Sequence, residues 1–87
     1  MTSINAKPVK ILFFARLREK MGMQEIDFVL DQPVTLAEFE TLLAQQYLVF
    51  NDLPHPIVVA INQDFAQSEQ LVHPGDEVAF FPPVTGG

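Results

Sequence analysis

The sequence predicts an α+β domain in which a mixed β-sheet carries one main helix across one face. Three observations lead there. Residues 24–30 alternate polar and apolar with the period of a half-buried strand, Ile26, Phe28 and Leu30 opposing Glu25 and Asp27. From Thr35 to Tyr47 the apolar residues recur with the period of a helix. At the two ends, residues 9–14 and 77–81 are β-branched and aromatic strand formers.

Taken in order, residues 1–7 form a short polar stretch, expected to be a flexible N-terminal extension. Residues 9–14 form a strand that is apolar on both faces, with Val9, Ile11 and Phe13 on one and Leu12 and Phe14 on the other. Residues 15–21 suit a short helix, with Leu17 and Met21 one turn apart, Arg16, Arg18 and Lys20 on its wet side or edges, and Gly22 as its stop. The strand at 24–30 pairs antiparallel with the first and ends at Asp31-Gln32-Pro33. Thr35 opens the main helix. Thr35 and Glu38 have capping-box spacing, Val34 and Phe39 are placed for a hydrophobic staple, and Leu36, Phe39, Leu42, Leu43 and Tyr47 form its apolar stripe.

Residues 48–56 carry no strong pattern and read as a connector. Residues 57–61 are a buried-type strand, followed by a turn at Asn62-Gln63-Asp64 with Phe65 just beyond. Residues 67–72 hold a short strand or turn. His73-Pro74-Gly75-Asp76 has Pro and Gly at the central places of a type II turn, and the last strand follows. Strand, strand, helix, strand, short element, strand is the order of the β-grasp, or ubiquitin-like, arrangement. The last strand then sits centrally, beside the first. The domain spans residues 8–81, and residues 82–87 form an extended tail.

That tail is where the chemistry is expected. Pro82 and Pro83 cannot donate to a sheet ladder, so they end the strand and favour a stiff, extended exit. Val84 and Thr85 follow, and Gly86 and Gly87 pass through gaps too narrow for a side chain. Six residues at roughly 3.1–3.5 Å each reach about 20 Å, enough to enter a second protein's active site. The working group is expected to be the terminal carboxylate of Gly87.

Composition narrows the alternatives. With 87 residues, 48% hydrophobic, including eight Phe, the chain has material for one core without staples. It has no Cys, so a thiolate zinc site is excluded, as is carriage of sulfur or an acyl group on its own thiol. The longest apolar run, residues 11–15, is far too short to cross a bilayer, and no signal-peptide pattern is present, so a cytoplasmic protein is expected. Net charge is −6, yet all five basic residues lie in the first 20 positions. The acidic remainder either aids solubility or steers the chain to a basic partner surface, and it argues against nucleic acid.

No catalytic set is apparent. His55 and His73 precede prolines in loops without metal-ligand spacing, so no metal is expected. Asp76 and Glu77 enter a strand on opposite faces, and Ser3 and Ser68 have no nearby base. A carrier fits better than an enzyme with its own active site. If Ile11, Phe13, Val78 and Phe80 face the helix, then Leu12, Phe14, Ala79 and Phe81 face away, with Phe65 placed to join them. They form either a minor second core under the connector or an exposed docking patch. The position of Phe81 directly before the tail favours docking.

Three blocks resemble a known family: Val9-Lys10-Ile11-Leu12-Phe13-Phe14-Ala15, Ala60-Ile61-Asn62-Gln63, and Gly75-Asp76-Glu77-Val78-Ala79-Phe80-Phe81-Pro82-Pro83-Val84-Thr85-Gly86-Gly87. They are similar to the small subunits of molybdopterin synthase, sulfur carriers of molybdenum cofactor biosynthesis. The resemblance implies that an adenylyltransferase related to ubiquitin-activating enzymes uses ATP to adenylate Gly87. A sulfur donor enzyme then makes the thiocarboxylate, and the tail enters the large synthase subunit within a heterotetramer. Two such sulfurs become the molybdopterin dithiolene, made from cyclic pyranopterin monophosphate. No cofactor is bound by the carrier itself; the ATP belongs to its adenylating partner. By the same resemblance Phe14, Phe65 and Phe81 match partner-contact positions. The alternatives are the related sulfur carrier for thiamine thiazole, a ubiquitin-like modifier that forms an isopeptide, and an interaction domain with an inert tail. The Phe-Phe-Pro-Pro-Val-Thr context before the diglycine argues against the first.

Overall fold

The computed structural model describes residues 7–83. Residues 1–6 of the expected extension, and Val84, Thr85, Gly86 and Gly87 of the expected tail, lie outside the described residues. The described chain contains strands β1 (Val9–Phe13), β2 (Glu25–Phe28), β3 (Val34–Thr35), β4 (Val58–Ile61), β5 (Asp64–Phe65), β6 (Leu71–Val72) and β7 (Glu77–Phe81). Helices α1 (Ala15–Met21) and α2 (Leu36–Gln46) and a 3₁₀ helix at Leu48–Asp52 complete it.

Five strands form one sheet in the order β2-β1-β7-β4-β5. β1 and β7 run parallel at its centre, Ile11 opposite Val78 and Phe13 opposite Phe80. The other neighbours are antiparallel, so the sheet is mixed, and the fold is the β-grasp expected from the element order. Alternation assigns the faces. Val9, Ile11, Phe13, Ile26, Phe28, Val59, Ile61, Val78 and Phe80 are buried in one cluster with Leu17 of α1 and Leu36, Phe39 and Leu43 of α2. Phe13 stacks on Phe80 with centroids 5.6 Å apart, and Phe28 meets Phe39 edge-on at 5.4 Å. Such pairs add about 0.5–1.5 kcal/mol beyond area burial.

Both helices form for the reasons legible in the sequence. Gly22 closes α1 in the left-handed conformation (φ 74°), its N–H donating to the Arg18 carbonyl at 3.0 Å. At the start of α2 the capping box is complete: the Glu38 N–H donates to Thr35 Oγ1 at 3.1 Å, and the Thr35 N–H donates to Glu38 Oε1 at 3.0 Å. Val34 packs against the core, as a staple requires. Leu42, expected on the stripe, is instead 37% exposed. Leu36, Phe39 and Leu43 define the buried line, and Leu42 lies at its edge beside Val34.

Other differences come from elements too short to show a period. The connector is a 3₁₀ helix that sends Phe50 into the core, edge-on to Phe80 at 5.3 Å, with Leu53 buried behind it. β3 and β6 form a separate two-stranded ribbon, so Val34 and Thr35 pair with Val72 and Leu71. β2 is shorter than residues 24–30, although Leu30 is buried beyond its end. The type II turn is present, with Gly75 at φ 90° and the Asp76 N–H donating to the His73 carbonyl at 3.0 Å.

Removing the N-cap oxygen isolates one of these features. Thr35→Ala is expected to lower unfolding stability by about 1 kcal/mol in urea denaturation with an unchanged m-value.

Candidate functional site

Among the described residues, no helix covers the opposite face of the sheet. Along β7, Ala79 and Phe81 point there, and the register extends the row from Leu12 through Ala79 and Ala60 to Phe65. Phe81 sits opposite Val58 in the next row. Phe14 continues the alternation of β1 by one residue, its N–H donating to the Phe80 carbonyl at 3.1 Å. Its ring stacks on Phe81, centroids 4.7 Å apart and planes 4° from parallel. Sequence reasoning left open whether these residues were a second core under the connector. The connector packs by Phe50 against Phe80, on the helix side, and so does not cover this face. Phe65 is 79% exposed and Phe14 39%. Phe14, Phe65 and Phe81 are thus brought to one face, as expected.

Two backbone devices position them. Ala15 has φ 53°, a left-handed conformation unusual for a residue with a Cβ, and it turns the chain from β1 directly into α1. Phe14 is therefore the last extended residue before the turn. Asn62 (φ 51°) and Gln63 (φ 74°) make a two-residue hairpin of the I′ kind, which returns the chain as β5 and sets Phe65 opposite Ala60. Asn62 also locks that hairpin to the start of β7. Its Nδ2 donates to Asp76 Oδ1 at 3.0 Å, and its Oδ1 accepts from the Glu77 N–H at 3.0 Å.

The Phe14–Phe81 stack stands between two shallow clefts. One, of about 180 Å³, is lined by Val58, Phe65, Phe81 and Pro82. The other, of about 220 Å³, is lined by Leu12, Phe13, Phe14, Arg18 and Gln24. Pro82 and Pro83 are half-buried and outside the ladder, so pairing stops at Phe81 next to the first cleft. Val58 and Arg18 were not singled out from the sequence. The alternation of Val58 with Ala60 was a usable signal for the first; the position of Arg18 depends on the path of α1.

On the helix side, Glu40, Thr41, Asn51, His55 and Ser68 line a polar pocket of about 280 Å³. Burial raises the Glu40 carboxyl above its ordinary range, and His55 partly opposes this. Among the described residues, no group of three or more His, Cys, Asp or Glu is placed to hold a metal ion, and no helix is long and apolar enough to cross a membrane.

The ThiS family model matches residues 11–87. The chain belongs to the ThiS family. Relatives named molybdopterin synthase sulfur carrier subunit include that of Escherichia coli (strain K12), 38% identical over 82 residues, covering 91% of this chain and 99% of the relative. The subunit of the same name from Haemophilus influenzae is 40% identical over 80 residues, with the same coverage. Among solved structures, small archaeal modifier protein 1 of H. volcanii superposes with a TM-score of 0.77 at 24% identity, covering 90% of this chain and 99% of that one. That likeness establishes the fold.

Substitutions at two positions test the turn into α1 and the burial of Glu40. Ala15→Val, with a branched Cβ at positive φ, is expected to cost about 1–2 kcal/mol in urea denaturation, whereas Ala15→Gly changes stability by less than about 1 kcal/mol. For Glu40 the raised folded pKa means the folded state favours the neutral acid, so ionisation lowers stability as pH rises through that value. Glu40→Gln is therefore expected to melt higher than wild type at pH 7, the difference fading below the unfolded-state value of about 4.3.

Proposed function

We propose that this chain is the sulfur-carrier subunit of a molybdopterin synthase, and that the Gly87 carboxylate is the group it carries sulfur on. The observation that supports this best is an apolar face left open by the fold beside the point where Pro82 ends the central strand. It occurs in a chain that aligns along nearly the whole length of relatives bearing that name. A face of this kind docks a protein and aims the following residues into it.

In this reading an adenylating enzyme binds the open face and draws in Val84, Thr85, Gly86 and Gly87. A carboxylate is a poor electrophile at neutral pH. Attack of its oxygen on the α-phosphorus of ATP, with loss of pyrophosphate, makes an acyl adenylate whose AMP is a good leaving group. Hydrosulfide released at a donor enzyme attacks the acyl carbon and displaces AMP, leaving the thiocarboxylate. The thiocarboxylate sulfur is then delivered within the large subunit to the pterin precursor, two sulfurs making one dithiolene. The carrier supplies position and reach, with ATP and the reactive side chains held by its partners. Its working place is proposed to be the cytoplasm.

The test is an intact mass measured before and after incubation with ATP, the cognate adenylating enzyme and a sulfur source. The expected result is a gain equal to replacing one oxygen by sulfur, mapped to Gly87 and lost when a residue is appended after it. An unchanged mass with an adenylating enzyme shown to form the acyl adenylate would overturn the reading. Covalent conjugates to lysine would support a modifier instead.

A further inference from the structure

We infer that the docking face is polarised, and that the partner covering it sets a carboxylate side chain against Arg18. The inference rests on the carrier reading above and adds the chemistry of the partner surface. Arg18 lines the cleft formed with Leu12, Phe13, Phe14 and Gln24, immediately beside the Phe14–Phe81 stack. Any partner that covers those two rings also takes water from Arg18.

A guanidinium cannot shed its charge, so once covered it needs an anionic partner or the complex is weakened. This chain does not supply one among the described residues. Lys10, on the same face, already faces Glu25 at 3.6 Å, while no carboxylate of the described residues lies within 4 Å of Arg18. The cleft on the other side of the stack, lined by Val58, Phe65, Phe81 and Pro82, has only apolar walls. The two clefts therefore differ: one takes an apolar side chain, and the other takes an apolar group that ends in, or stands beside, an Asp or Glu. Between them the Phe14–Phe81 ridge fixes the spacing.

The charge distribution makes the site directional. The five basic residues all precede residue 21, and α1 exposes Arg16, Arg18 and Lys20. From Met21 onward every charged Asp, Glu, Lys or Arg side chain is acidic. An acidic rim on the partner is attracted at the α1 flank and repelled by the acidic surface of the chain from Met21 onward, which sets the orientation in which Pro82 and the residues after it meet the partner.

The experiment is calorimetric titration of the full chain with the cognate large subunit of molybdopterin synthase at low and high salt. Thermal melts confirm that each exposed-site variant folds. Arg18→Glu is expected to weaken binding by about tenfold or more, and Arg18→Ala by less while flattening the salt dependence. Lys7→Glu makes the same charge change at the opposite end of the sheet, over Gly75, and is expected to stay within about twofold of wild type. Phe81→Ala reports on the face as a whole. If Phe81→Ala weakens binding but Arg18→Glu behaves like Lys7→Glu, the polarised site is overturned and the carrier reading stands. If the wild-type chain does not bind at all, the carrier reading fails and this inference with it.

Discussion

Two adjacent phenylalanines on β7 point to opposite sides of the sheet, and the rest of the structure depends on that alternation. Phe80 is fully buried among Phe13, Phe50 and the other core side chains, while Phe81, half-buried, stacks on Phe14 on the other face. A one-residue slip of β7 against β1 would exchange the faces. It would turn Ala79 and Phe81 toward the helices and Val78 and Phe80 away from them, losing both the core and the proposed docking surface. The parallel pairing with β1 and the antiparallel pairing with β4 hold the register from both sides. The strand that binds the core together is thus also the one that leads into the prolines.

The face suits the proposed docking because little else is asked of it. Its centre is made of small side chains, Ala60 and Ala79, and its rim of larger ones, so it is shallow and ridged by one aromatic stack. The loops that border it are held by their own polar groups. Asn62 and Asp76 tie the β4–β5 hairpin to the start of β7, and the left-handed Ala15 stops β1 one residue after Phe14 is set. These contacts make the aromatic positions properties of the backbone, so the proposed docking would not have to organise them. Reactive side chains are unnecessary in a chain whose proposed working group is a carboxylate at its end.

Much of this was legible in one dimension. The period-two stretch at Ile26 and Phe28, the capping box of Thr35 and Glu38, the Gly22 stop and the Pro74-Gly75 turn each carry their structure locally, and each formed as read. The misses share a cause. Phe50 lies in a short 3₁₀ helix with Leu53 just beyond its end, and β3 and β5 have two residues each, so none repeats often enough to reveal a period. Leu42 failed differently. Its place on the stripe was right in angle, but the width of the buried line depends on what the helix rests against.

The sequence by itself determined which residues alternate, where the helices begin and end, and that an apolar strand stops at two prolines. These are consequences of backbone sterics, capping groups and side-chain periodicity, all set within a few residues. Only the tertiary structure decided that the connector lies on the helix side, away from the face that carries Phe14, Phe65 and Phe81, and that α1 lays Arg18 beside Phe14. Those outcomes depend on how distant segments share one limited volume. Phe50 fills the space beneath Phe80, and no local pattern around residue 50 records that the space exists.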